Sequence, residues 1–232
     1  MINLPEGIVL SEEQPKLLLE KFGEARRETG YLYPWEGLEE KVRRMERSTL
    51  PFVGYGSLLN SSSAALTLNK ETLQHRRPII VFWSHRIFNY DMGEVVGRYG
   101  KPKRKLESAA LNVRLTESLN DTMNAVLVEI PLIDIKALRK REIGYDLKAV
   151  VCLDWNELGE QPFIAYLLLC SDEPRLGHKR TDNTLLPHRK YYQVCREGAK
   201  EFGEPFLQYW LSTTYLADGV TSVANWESTA WE

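Results

Sequence analysis

Apolar positions change their spacing twice along this chain, and each change marks a different kind of structure. Leu17, Leu18, Leu19, Phe22 and Ala25 recur at helical spacing, and Ser11 with Glu13 and Gln14 reads as a helix start. Leu38, Val42 and Met45 follow at steps of four and three. The pattern predicts helices over 11–29 and 36–48, joined by an aromatic linker, Tyr31-Leu32-Tyr33-Pro34-Trp35. From residue 51 the runs shorten to strand length. Strands are predicted at Phe52 and Val53 and over 79–83, 109–115, 123–130, 147–155 and 163–169. Leu132, Ile135 and Leu138, at steps of three, put a short helix over 132–142 between two of them. Residues 157–160 read as a hairpin loop. Helical spacing returns over 188–214, where Gly203 and Pro205 split it into two helices. Tyr192 reads as a core aromatic there, with a weaker claim to line a pocket. The tail carries Trp226 and Trp231, rings that dock on the body or wait for a partner. Five or six strands with one inserted helix and flanking helices make an α+β protein built on a closed or nearly closed sheet.

Composition narrows the picture by exclusion. The chain has 232 residues, 43% hydrophobic and 27% charged, which fits a folded core. Its net charge of −2 gives no global field for nucleic acid or anionic lipid, so neither is expected as a partner. No apolar run approaches the ~20 residues of a membrane span. The opening Met1-Ile2-Asn3-Leu4-Pro5-Glu6 has no basic region followed by an apolar one, so no secretory signal is visible. Cys152, Cys170 and Cys195 are odd in number and far apart, and read as buried thiols of a reducing, cytoplasmic compartment. The pairs His75 with His85 and His178 with His188 have no metal-ligand spacing, so no metal or other cofactor is expected. Oligomeric state is not readable.

Two stretches carry candidate chemistry. In Pro51-Phe52-Val53-Gly54-Tyr55-Gly56-Ser57-Leu58-Leu59-Asn60 an apolar run meets a glycine turn and then helix-starting serines. Such a turn can aim successive backbone N–H groups at one spot and hold an anion there. It is neither a dinucleotide fingerprint nor a P-loop, and Ser57 lacks the frame of a nucleophile elbow. Ser57 reads instead as a helix N-cap or a hydrogen-bond donor to a ligand. A plain strand–helix connection remains the alternative. The second stretch is Arg139-Lys140-Arg141-Glu142-Ile143-Gly144-Tyr145-Asp146. Glu142 falls at the end of the inserted helix, where the dipole disfavours its ionisation and burial would act the same way. Those conditions suit a carboxyl group that gives and takes protons. The alternative is a surface glutamate paired with Arg139 or Arg141. The basic loop over 98–105 holds Tyr99 inside a charge run and reads as a solvated loop.

The two stretches together, Gly54-Tyr55-Gly56-Ser57-Leu58 and then Arg141-Glu142-Ile143-Gly144-Tyr145, resemble the γ-glutamylcyclotransferase superfamily, most closely its ChaC-like, glutathione-specific branch. The resemblance covers residues 51–215. It implies a small mixed β-barrel of five to seven strands over that range, and the helical extension over 1–50 and the tail over 216–232 fall outside it. It implies that Tyr55, Gly56, Ser57 and Leu58 hold a γ-glutamyl group and that Glu142 is the acid/base, with Tyr145 closing the pocket or packing beside it. The implied substrate is a small γ-glutamyl compound, glutathione first, whose own amine closes a ring to give 5-oxoproline and a released amine. A non-catalytic binding or regulatory protein of the same fold, and a cyclotransferase for γ-glutamylamines or γ-glutamyl amino acids, are the competing expectations.

Overall fold

The computed structural model describes residues 4–5, 9–92, 99–102, 104–157, 159–171 and 180–230. Two helices come first, α1 (Gln14–Arg27) and α2 (Leu38–Arg44). Strand β1 (Thr49–Gly54) then leads through the glycine turn to short helices α3 (Ser61–Ala64) and α4 (Lys70–Gln74). Strands β2 (Arg77–Phe82), β3 (Ser84–Asp91), β4 (Ala109–Leu115) and β5 (Thr122–Pro131) precede the inserted helix α5 (Ile135–Arg141). After it come β6 (Asp146–Asp154), β7 (Phe163–Leu169), α6 (Arg189–Lys200), α7 (Glu204–Ser212), β8 (Thr214–Leu216) and α8 (Val223–Ala230).

Five strands close a barrel in the order β1-β5-β2-β6-β7. Closure is made by β1 and β7, which run parallel through Phe52 opposite Tyr166 and Val53 opposite Leu167. The other barrel pairs are antiparallel. The expected α+β barrel with an inserted helix is therefore present. Closure buries both faces of its strands, so β1 and β5 read as near-continuous apolar runs.

A second sheet, in the order β4-β3-β8, lies beside the barrel. Its centre, β3, is absent from the sequence expectation. The reason is chemical: Ser84, Arg86 and Asn89 are buried polar residues, so the strand has no apolar alternation. The predicted strand over 79–83 runs on in space, but Trp83, at φ 54, breaks it and sends the chain from barrel to side sheet. Thr214–Leu216 is too short a strand to read from a pattern.

The N-terminal helices cover the barrel. Leu18 and Ala25 of α1 pack on Ile80, Phe82, Val151 and Leu153, and Phe22 stacks on Trp83 at 4.1 Å. Trp35, Leu38 and Val42 join the main core. At the other end Trp226 of α8 meets Tyr192 edge-on at 5.4 Å, so this ring docks on the body. Trp231 and Leu158 of the hairpin loop lie outside the described residues. Cys152 and Cys195 are buried as expected, whereas Cys170 is half-buried. Among the described residues no helix is long and apolar enough to cross a membrane.

Candidate active site

The glycine turn spans residues 55–60, between β1 and α3. Neighbouring elements hold it on every side. The Tyr55 hydroxyl donates to the Leu168 carbonyl of β7 at 2.8 Å. Arg76 donates through Nη1 to the carbonyls of Leu58 at 3.0 Å and Leu59 at 2.8 Å. The Leu59 N–H donates back to the Gly56 carbonyl at 2.9 Å. Behind the turn, Gly198 of α6 lies so close that a Cβ there would meet the backbone of Leu59 and Asn60. The backbone N–H groups of Gly56, Ser57 and Leu58 donate to no described residue. Three adjacent N–H groups without a described acceptor are what an anion nest at this turn requires. The cap of α3 differs from expectation: the Asn60 side chain, not Ser57, accepts the Ser63 N–H at 2.9 Å.

Glu142 terminates α5, with its own N–H still donating to the Leu138 carbonyl at 3.0 Å. Its side chain is 15% exposed, and its Oε1 accepts from Arg141 Nε at 2.9 Å. This carboxylate is ion-paired with Arg141, one of the two partners that the surface reading names, and it also lines a pocket. Consecutive residues on a regular helix do not face each other. Glu142 has left the helix, at φ −103 and ψ 49, and can turn back onto its neighbour.

One small cavity brings the two stretches together. Tyr55, Gly56, Ser57, Leu58, Glu142 and Tyr145 all line it, with Leu111, Leu168 and Tyr191 completing the wall. The Tyr145 hydroxyl donates to the Leu111 carbonyl at 3.0 Å, and its ring stacks on Tyr90 at 4.4 Å. From outside, Trp35 Nε1 donates to the Tyr145 carbonyl at 2.8 Å. Burial first of all pushes the hydroxyls of Tyr55, Tyr145 and Tyr191 well above the ordinary tyrosine range, and the Glu142 carboxylate adds to this at Tyr55. Near neutral pH these phenols are uncharged hydrogen-bonding walls and not bases.

The cavity volume is about 30 Å³, roughly the space of one water. A five-carbon acyl head enters only if side chains give way. Tyr191 crowds the turn most closely, its hydroxyl lying 2.6 Å from where a Cβ on Gly56 would sit. Tyr192 is the core aromatic that its spacing favours, and the sequence does not single out its neighbour Tyr191. Tyr191 faces the cavity, while Tyr192 is buried among Phe88, Trp210 and Trp226. Helical phase does not separate them, since Tyr191 aligns with Cys195 and Gly198 and Tyr192 with Cys195 and Ala199, all of them buried. Nor is Tyr99 solvated as its loop predicted. It is half-buried and meets Tyr191 at 90° and 5.2 Å, while Arg98 and Lys103 lie outside the described residues.

A larger open cleft of about 600 Å³ lies at the end of α1, lined by Glu24, Arg27, Glu28, Tyr31 and Lys41 among others. Its central carboxylate, Glu28, is already taken by Lys41 and the Tyr166 hydroxyl. It contains neither the turn nor Glu142, and size alone does not make it the site. Among the described residues no group of three or more His, Cys, Asp or Glu side chains could hold a metal ion.

No family model matches the chain, and no curated protein matches it by sequence. Solved structures do. YkqA from Bacillus subtilis is similar over 76% of this chain at 15% identity and a TM-score of 0.50, and the chain spans 60% of that protein's length. A structure titled gamma-glutamyl cyclotransferase is similar over 78% of this chain and 97% of its own, at 12% identity and a TM-score of 0.49. A yeast gamma-glutamyl cyclotransferase specific to glutathione is similar over 72% of this chain and 97% of its own, at 12% identity and a TM-score of 0.40. The YkqA likeness bears on the fold alone.

Proposed function

We propose that this protein is a γ-glutamylcyclotransferase, with glutathione as its first candidate substrate, as in the ChaC-like branch. One observation carries the reading: three unpaired N–H donors and a partly buried glutamate line the same cavity. The substrate's α-ammonium gives a proton to Glu142, and the amine attacks its own γ-carbonyl carbon. The tetrahedral carbon then releases the amide nitrogen, which takes the proton from Glu142 as the C–N bond breaks, while the ring nitrogen gives up its second proton, so that the freed amine departs as an ammonium. The products are 5-oxoproline and an amine, cysteinylglycine when the substrate is glutathione. One carboxyl group serves as base and then acid.

The step is intramolecular, so the protein's main task is to hold one conformer, which can supply ~7–11 kcal/mol. Tyr55, Leu58 and Tyr145 shape the walls that do so. The N–H groups of Gly56, Ser57 and Leu58 take either the α-carboxylate or the developing oxyanion, where one lost donor costs ~10²–10³ in rate.

The test is incubation with glutathione and a panel of γ-glutamyl amines and γ-glutamyl amino acids, followed by assay of 5-oxoproline. Release from glutathione supports the reading, and release only from another member reassigns the leaving group. The narrowness of the cavity favours a second reading, a non-catalytic binding protein of this fold, to which an absence of product from every compound would lead.

A further inference from the structure

Arg141 is the last residue of α5, and its guanidinium reaches three elements at once. Nε donates to Glu142 Oε1 at 2.9 Å. Nη2 donates to Ser57 Oγ at 2.8 Å and to Ser63 Oγ at 3.2 Å. Nη1 donates to the Ser63 carbonyl and to Thr67 Oγ1, both at 3.0 Å. The side chain is 12% exposed. The turn, the helix that follows it and the candidate acid/base thus share one partner.

We propose that Arg141 is a positioning residue: it fixes Glu142 relative to the glycine turn and commits the Ser57 hydroxyl to donating into the cavity. This rests on the cyclotransferase reading. A guanidinium carries donors and no acceptor. Ser57 Oγ must therefore accept from Arg141, and the single hydroxyl proton points away from it. Ser57 Oγ makes no other hydrogen bond to a described residue, and Ser57 lines the cavity. Its proton becomes a fourth donor beside the N–H groups of Gly56, Ser57 and Leu58. Four donors in one place suit an anionic centre, a carboxylate or an oxyanion, better than a neutral amide. Lysine cannot replace this arginine, because its three donors share one nitrogen and cannot span acceptors on three elements.

The experiment compares 5-oxoproline release from glutathione by the wild type, Arg141→Gln, Arg141→Lys, Ser57→Ala and the double variant Arg141→Gln with Ser57→Ala, each with its thermal midpoint. Arg141→Gln is expected to lower kcat about 100-fold or more with a smaller change in KM, and Ser57→Ala to lower it about 10-fold or more. Arg141→Lys should recover little of the loss. Ser57→Ala should cost far less in the Gln background than in the wild type, because the two side chains act as one unit. Independent, multiplying losses, or Arg141→Lys within about twofold of wild type, would overturn the proposal. If Arg141→Gln does not fold, Ser57→Ala decides, and wild-type kcat in that variant overturns the assignment. A wild type that releases no 5-oxoproline from any γ-glutamyl compound overturns the cyclotransferase reading itself. An active wild type with indifferent Arg141 variants overturns only this inference.

Discussion

Gly198 shows how one missing carbon can set a site. It stands on α6 where a Cβ would press on the Asn60 nitrogen and the Leu59 carbonyl carbon, both backbone atoms that cannot rotate away. Gly198→Ala should therefore destabilise the protein by about 1–3 kcal/mol and displace the turn, lowering 5-oxoproline release in whatever fraction stays folded. Thermal melts and initial rates on the same preparation check it, and an unchanged rate would show that α6 does not set the turn. Gly56 differs, because its close neighbour is the movable end of Tyr191. Much of the candidate cavity's lining was legible beforehand. The turn and the helix end are local motifs, and the family resemblance pairs them; Tyr55, Gly56, Ser57, Leu58, Glu142 and Tyr145 do line one cavity. Tyr191, Gly198 and the bridging contacts of Arg141 were not legible, since each depends on what a distant element brings near. The capping role went to Asn60 for a local reason: it sits one residue before the four-residue helix, whereas Ser57 lies inside the turn.

Among the elements, the side sheet depends on Arg86. This side chain is wholly buried on β3 and donates to the Asn124 carbonyl, to Asn124 Oδ1 at 2.7 Å, to Thr214 Oγ1 at 2.9 Å and to Thr213 Oγ1 at 3.3 Å. It also lies over the Trp210 ring at 5.3 Å. It joins β5 of the barrel to β3, β8 and the end of α7. Burial lowers its pKa to about 9, reflecting a charge taken out of water with no carboxylate beside it in its hydrogen-bond set. Arg86→Ala would leave a cavity and strip partners from Asn124 and Thr214. The expected loss is about 2–5 kcal/mol, read by urea denaturation, and a loss below about 1 kcal/mol would contradict the stitching role. The same chemistry explains why β3 escaped the pattern of the sequence. Barrel strands buried on both faces show as apolar runs, but a strand that buries Ser84, Arg86 and Asn89 among Ile87, Phe88 and Tyr90 has neither an apolar run nor an alternation.

Across the whole molecule, the segment before the barrel supports the site from behind. Trp35 is 1% exposed and donates to the Tyr145 carbonyl, Arg139 donates to the Pro34 carbonyl at 2.8 Å, and the Tyr33 N–H donates to Asp146 Oδ1 at 2.8 Å. These contacts grip both ends of the stretch that carries Glu142. Trp35→Phe keeps an aromatic ring and removes one buried hydrogen bond, so a loss of about 1–3 kcal/mol is expected, with slower turnover in the folded protein. Unchanged melting and turnover together would show that this segment merely covers the barrel. The helices were readable from spacing, but their grip on the site was not, because contacts between residues over 100 apart in the chain leave no local trace. The claim that joins every scale is that Glu142 moves the protons of a ring closure in this cavity. The most direct measurement is product release from glutathione by the wild type and by Glu142→Gln at matched thermal stability. The account predicts equal amounts of 5-oxoproline and cysteinylglycine from the wild type and none from Glu142→Gln. A Glu142→Gln protein that still releases 5-oxoproline at the wild-type rate would contradict it.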